Sequence, residues 1–142
     1  MSISTSDKLD LNAFKDWVEN FQSKLGHRDL VLLSGSMGAG KTQFVKFLLQ
    51  ALGGEAPSSP SYAIHQSYEI KNSTVDHIDL YRLEDDDDLE STGFWDLFEK
   101  TEGLIVVEWA DRISSEVYPL YWKQHHIQLV RDDRGVVVTV GL

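Results

Sequence analysis

Three glycines, a lysine and a threonine stand at fixed spacing in Gly35-Ser36-Met37-Gly38-Ala39-Gly40-Lys41-Thr42, and they constrain this chain more than any other feature. The segment fits G-x-x-x-x-G-K-[ST]. Leu30-Val31-Leu32-Leu33 before it reads as a short buried strand. After it, Phe44, Val45, Leu48, Leu49 and Leu52 recur at helical spacing, which predicts a helix over 42–52. A strand, a glycine-rich loop and a helix in that order commit the region to an α/β unit.

The residue types explain what such a loop does. Glycine tolerates positive φ and has no Cβ, so Gly35, Gly38 and Gly40 let the backbone curl around an anion. The loop amides, including those of Ser36, Met37 and Ala39, then point inward as a nest. The helix starting near Lys41 adds unpaired N–H groups and the positive end of its dipole. Lys41 supplies a point charge for the β- and γ-phosphates, and the Thr42 hydroxyl is placed to ligate Mg²⁺. The expected ligand is a nucleoside triphosphate. A glycine turn before an ordinary helix is the plainer reading, and the flanking strand and helix argue against it.

At 142 residues the chain is long enough for one domain, spanning 1–142, with its own core. It has no cysteine, hence no disulfide or thiolate metal site. Residues 1–10 are polar and lack an apolar signal core, and no apolar run approaches a membrane span, so a cytoplasmic protein without membrane contact is expected. The net charge of −10 repels a phosphate backbone. Nucleic acid, if involved, is expected to be held by a basic partner.

Phe14, Trp17, Val18, Phe21 and Leu25 lie on one face of an expected helix over 10–25, with Gly26 as its C-terminal stop. Gly53 and Gly54 end the second helix, and 55–60 reads as a loop. Tyr62, Ile64, Tyr68 and Ile70 alternate as in a strand, Lys71-Asn72-Ser73 is a turn, and 74–81 is a second strand of a hairpin. Leu89, Phe94, Leu97 and Phe98 are the apolar positions of a short helix after the acidic run. Leu104-Ile105-Val106-Val107 predicts a strand covered on both faces. Residues 127–130 and 136–140, with a turn over 131–135, read as a terminal hairpin. The fold class is therefore α/β: a P-loop NTPase-like mixed sheet flanked by helices.

Such a loop needs a carboxylate at the end of a neighbouring strand. Glu108 follows the apolar run and would emerge at the sheet rim, either in the site or in a surface salt bridge. Asp79 shares a face with His77, opposite Ile78 and Leu80. It either serves the metal or the attacking water, or caps the next turn; spacing leaves both open. His77 reads as a packed or hydrogen-bonded histidine. The run Glu84-Asp85-Asp86-Asp87-Asp88 reads as a solvated loop rather than a metal site. His125 and His126 point to opposite faces of a strand and make a poor metal pair.

Taken in order, residues 35–42, Ser59-Pro60-Ser61-Tyr62, His77-Ile78-Asp79-Leu80-Tyr81-Arg82-Leu83, Leu89-Glu90 with Gly93, and Val107-Glu108-Trp109 resemble the TsaE (YjeE) family, the bacterial ATPase of tRNA threonylcarbamoyladenosine biosynthesis. The resemblance covers about 30–109. It implies ATP and Mg²⁺ as cofactors, weak hydrolysis alone, and the TsaB–TsaD complex as partner, with tRNA met only through those partners. It further implies Thr42 and Glu108 as Mg²⁺ ligands and Asp79 as a catalytic or metal-associated carboxylate. Ser61 would lie in a γ-phosphate-sensing segment, and Trp109 would support the site. Where family loops read Gly-Asp-Leu-Gly-Ala-Gly-Lys-Thr, this chain has Ser36 and Met37; where they read Ser-Pro-Thr, it has Ser61. A small-molecule kinase is disfavoured because the five arginines (Arg28, Arg82, Arg112, Arg131, Arg134) form no arginine-rich lid. A non-catalytic nucleotide sensor would use the same loop. A GTPase is disfavoured by the lack of an Asn-Lys-x-Asp segment.

Overall fold

In a computed structural model, described over residues 3–54, 65–71, 73–81, 89 and 93–141, one seven-stranded mixed sheet runs through the chain. The strands are β1 (Ser4–Thr5), β2 (Arg28–Ser34), β3 (His65–Ile70), β4 (Ser73–Asp79), β5 (Gly103–Glu108), β6 (Lys123–Asp132) and β7 (Gly135–Val140). Their order across the sheet is β1-β7-β6-β2-β5-β4-β3. β2 lies at the centre, parallel to β5 on one side and β6 on the other. Buried on both faces, it must be apolar throughout, and Leu30 to Leu33 meet that demand.

The helices α1 (Leu11–Gln22) and α2 (Lys41–Ala51) cover one face. Val31 and Leu33 meet Phe14, Val18, Phe21, Phe44 and Leu48 there. Phe14 packs edge-on against Phe47 at 5.7 Å, and Trp17 stacks on Phe21 at 5.6 Å. On the other face, Leu30, Leu32, Ile78, Leu80, Ile105 and Val107 pack under Leu89, Phe94, Phe98, Tyr118 and Trp122. A 3₁₀ helix, Trp95–Glu99, carries Phe98 into that layer, and the Trp122 indole donates to its carbonyl at 2.9 Å.

Several boundaries differ from the sequence reading; β4, expected over 74–81, starts at Ser73 and ends at Asp79. α1 ends at Gln22, because the Ser23 hydroxyl turns back to the Asn20 carbonyl; Gly26 is not its cap but donates its N–H to Asp29 Oδ1. β6 begins at Lys123, four residues before the expected strand, and the hairpin turn shrinks to two residues. The early part of β6 looks polar because His125 pairs with buried Asp29 at 2.6 Å, while His126 sits on the opposite face. β1 was not expected: its two residues pair with the C-terminal half of β7. The predicted β3–β4 hairpin is present, although Tyr62 and Ile64 lie outside the described residues, as does the acidic run 84–88.

Candidate functional site

The parallel strands β2, β5 and β4 end side by side. Leu33 is in register with Glu108, and Glu108 with Asp79. Ligands of open α/β sheets bind beyond such carboxyl ends. The glycine loop leaves β2 at this edge and returns into α2. Gly35 has φ 148°, and a Cβ there would stand 2.5 Å from the Leu129 carbonyl oxygen, so β6 presses directly on the loop. α2 starts from Gly40 at φ 113° with no side-chain cap. α1, by contrast, is capped by Asp10, whose carboxylate accepts from the Ala13 N–H at 2.8 Å. The first-turn amides of α2 are thus left by side chains to face the loop.

Lys41 and Thr42 come from that first turn. The Lys41 ammonium donates to the carbonyls of Gly35 (2.6 Å) and Ser36 (2.8 Å), and lies 4.0 Å from the centroid of the Trp109 ring. Burial lowers its pKa, while the charges of Glu108, Asp111 and Asp79 act in the opposite direction. Ser36 takes part through its carbonyl, and Met37 is largely exposed at the mouth of the cleft it helps to line.

The Thr42 hydroxyl donates to Glu108 Oε1 at 3.3 Å, and His77 Nε2 lies 2.5 Å from Glu108 Oε2. Glu108 is buried and held by both partners. His77 was expected only as a packed or hydrogen-bonded residue; it is the group that orients Glu108. Asp79 accepts the Tyr81 N–H through Oδ1 at 2.9 Å, as a turn-capping aspartate does, and also lines the cleft with Lys41, Thr42 and Glu108. Burial raises its pKa against the Tyr81 hydrogen bond, and the Glu108 charge raises it further.

Trp109 follows Glu108 with φ 58° and is the single non-glycine residue at positive φ among the described residues. Such backbone costs about 1–3 kcal/mol and persists where the surroundings enforce it. Here Tyr81 packs on the indole at 5.0 Å, and the ring caps Lys41. Ser61 lies outside the described residues.

The cleft measures about 340 Å³ and is also lined by Gln43, Lys46 and Arg131, which the sequence did not mark for it. A larger cavity, about 470 Å³, opens behind Ser34 on the face away from α2, but the loop lysine and the carboxylates converge on the smaller one. Among the described residues no cluster of three His, Asp or Glu side chains forms a self-sufficient metal cage. Mg²⁺ prefers one or two protein oxygens plus phosphates and water. Thr42 and Glu108 offer hard oxygen donors in contact, with Asp79 beside them.

A central parallel strand feeding a glycine loop onto an uncapped helix, with a carboxylate at the next strand's end, defines a P-loop α/β protein. The family model described as "Threonylcarbamoyl adenosine biosynthesis protein TsaE" matches residues 9–136, and the chain belongs to that family. Among curated proteins named tRNA threonylcarbamoyladenosine biosynthesis protein TsaE, that of Rickettsia bellii is 31% identical over 84% of this chain and 83% of its own. The Aquifex aeolicus protein is 38% identical over 66% of this chain and 67% of its own. The Haemophilus influenzae protein is 37% identical over 58% of this chain, and the match spans about half (52%) of that relative's length. The crystal structure of Bacillus subtilus YdiB superposes with a TM-score of 0.69, covering 98% of this chain and 84% of that one, at 24% identity, and shares the fold.

Proposed function

We propose that this chain binds ATP with Mg²⁺ in the Lys41–Glu108 cleft, hydrolyses it slowly alone, and serves tRNA threonylcarbamoyladenosine biosynthesis together with TsaB and TsaD. One contact carries the catalytic part of this reading. Thr42 of the first turn of α2 and Glu108 of β5, 66 residues apart, meet at 3.3 Å. That contact brings the two oxygen ligands such a site needs to one point. Mg²⁺, when bound, would neutralise phosphate charge between them.

The chain's own residues then divide the work. The loop amides and Lys41 grip the phosphates, His77 holds Glu108 in place, and Asp79 is positioned to orient water. Trp109 shields the ammonium from solvent. The names of the relatives support the tRNA pathway, and no helix among the described residues is long and apolar enough to cross a membrane. The acidic surface suits a protein that leaves RNA contact to others.

Adding TsaB–TsaD complex at equal stoichiometry is expected to raise phosphate release well above the rate of the chain alone. A complex that neither binds the chain nor changes its rate contradicts the partnership.

Asp79 gives a pH-dependent expectation. Its folded carboxyl holds a proton more tightly than the unfolded chain's does, so ionising it costs stability as pH rises from the ordinary value of 3.8 through the raised folded value. Asp79→Asn removes that cost and keeps an amide oxygen for the Tyr81 N–H. Its melting temperature at pH 7 is expected to equal or exceed the wild type's, the gap narrowing toward pH 4, while hydrolysis falls. A variant that melts lower at pH 7 than the wild type would refute this assignment of cost.

A further inference from the structure

We propose that Arg131 is a second phosphate-binding cation of the cleft, reaching the α- and β-phosphates of the nucleotide from the β6 side; this rests on the nucleotide reading above. The sheet order places β6 on one flank of the loop-bearing strand and β5 on the other. Lys41, Glu108 and Asp79 cluster toward the β5 and β4 flank. Arg131 enters the same cleft from the opposite flank, where β6 presses on Gly35 through Leu129. Its Nη1 donates to the Gly38 carbonyl in the middle of the loop at 3.5 Å, a long bond that a phosphate oxygen can readily replace. The side chain is exposed and makes no ion pair among the described residues.

Charge favours such a group. ATP brings about four negative charges and Mg²⁺ offsets about two, leaving about two for the protein to meet. Lys41 supplies one cation, whose charge is offset by the neighbouring Glu108, Asp111 and Asp79 in a chain of net charge −10. Of the remaining cations lining the cleft, Lys46 lies one helical turn beyond Thr42, whereas Arg131 already touches the loop backbone. A guanidinium fork also suits bidentate phosphate contact. Because the γ-phosphate belongs to the Lys41 and carboxylate flank, Arg131 meets the phosphates nearer the nucleoside, which ATP and ADP share.

Calorimetry of the full chain with Mg-ATP and Mg-ADP, on the wild type, Arg131→Gln and Arg131→Lys, tests this. Arg131→Gln is expected to weaken both nucleotides about tenfold and equally, with Arg131→Lys between it and the wild type. A merely structural role would show instead as a lowered melting temperature without recovery by lysine. Affinity unchanged in Arg131→Gln, or lost for ATP alone, overturns the assignment while the nucleotide reading stands. A wild type that binds neither nucleotide overturns both.

Discussion

Lys41→Ala is expected to lower ATP affinity at least about 100-fold, while the protein stays folded. The side chain is a buried cation whose partners are two loop carbonyls and an aromatic face. A charge-assisted hydrogen bond contributes about 1.5–3 kcal/mol, and two such bonds from the ammonium to phosphate oxygens, lost in the variant, correspond to about two orders of magnitude or more in affinity. Stability should change little. Burial already disfavours the charged ammonium, and removing it relieves that cost as it frees the two carbonyls. Displacement of a fluorescent ATP analogue gives the affinity, and circular dichroism melting checks the fold. An alanine variant that binds within threefold of the wild type would place the phosphates elsewhere.

Glu108→Gln is expected to reduce turnover about 10²–10³-fold and leave nucleotide affinity within a few-fold, the signature of a group used in the reaction rather than in grip. Glutamine keeps the shape and an acceptor for the Thr42 hydroxyl, so the buried position remains filled. What is lost is the negative charge opposite Lys41 and beside Asp79. Alanine is a poorer test, since it strips His77 and Thr42 of their shared partner and unsatisfied buried groups cost about 1–3 kcal/mol each. Single-turnover phosphate release at saturating Mg-ATP measures the effect. Unchanged turnover in Glu108→Gln would remove Glu108 from the chemistry.

What could be read from the sequence was local or periodic. The loop, its strand and its helix follow from spacing within 30–52, and β5 from an unbroken apolar run. Period-two alternation in β4 separated His77 and Asp79 from Ile78 and Leu80, which lie in the core on the far face. What escaped depends on contacts between distant residues. His77 meets Glu108 across 31 positions, and Arg131 meets Gly38 across 93. No local pattern reports such pairs. The start of β6 was hidden because its histidines follow polar partners rather than the alternation of a half-buried strand. Trp109 looked like a supporting aromatic; its left-handed backbone is visible only in three dimensions.

The account stands or falls on whether the loop between β2 and α2 holds a nucleotide. Titrating ATP with Mg²⁺ into the folded wild-type chain by isothermal calorimetry should give saturable heat for one nucleotide per chain. Flat heats, from protein that still melts cooperatively, would contradict it.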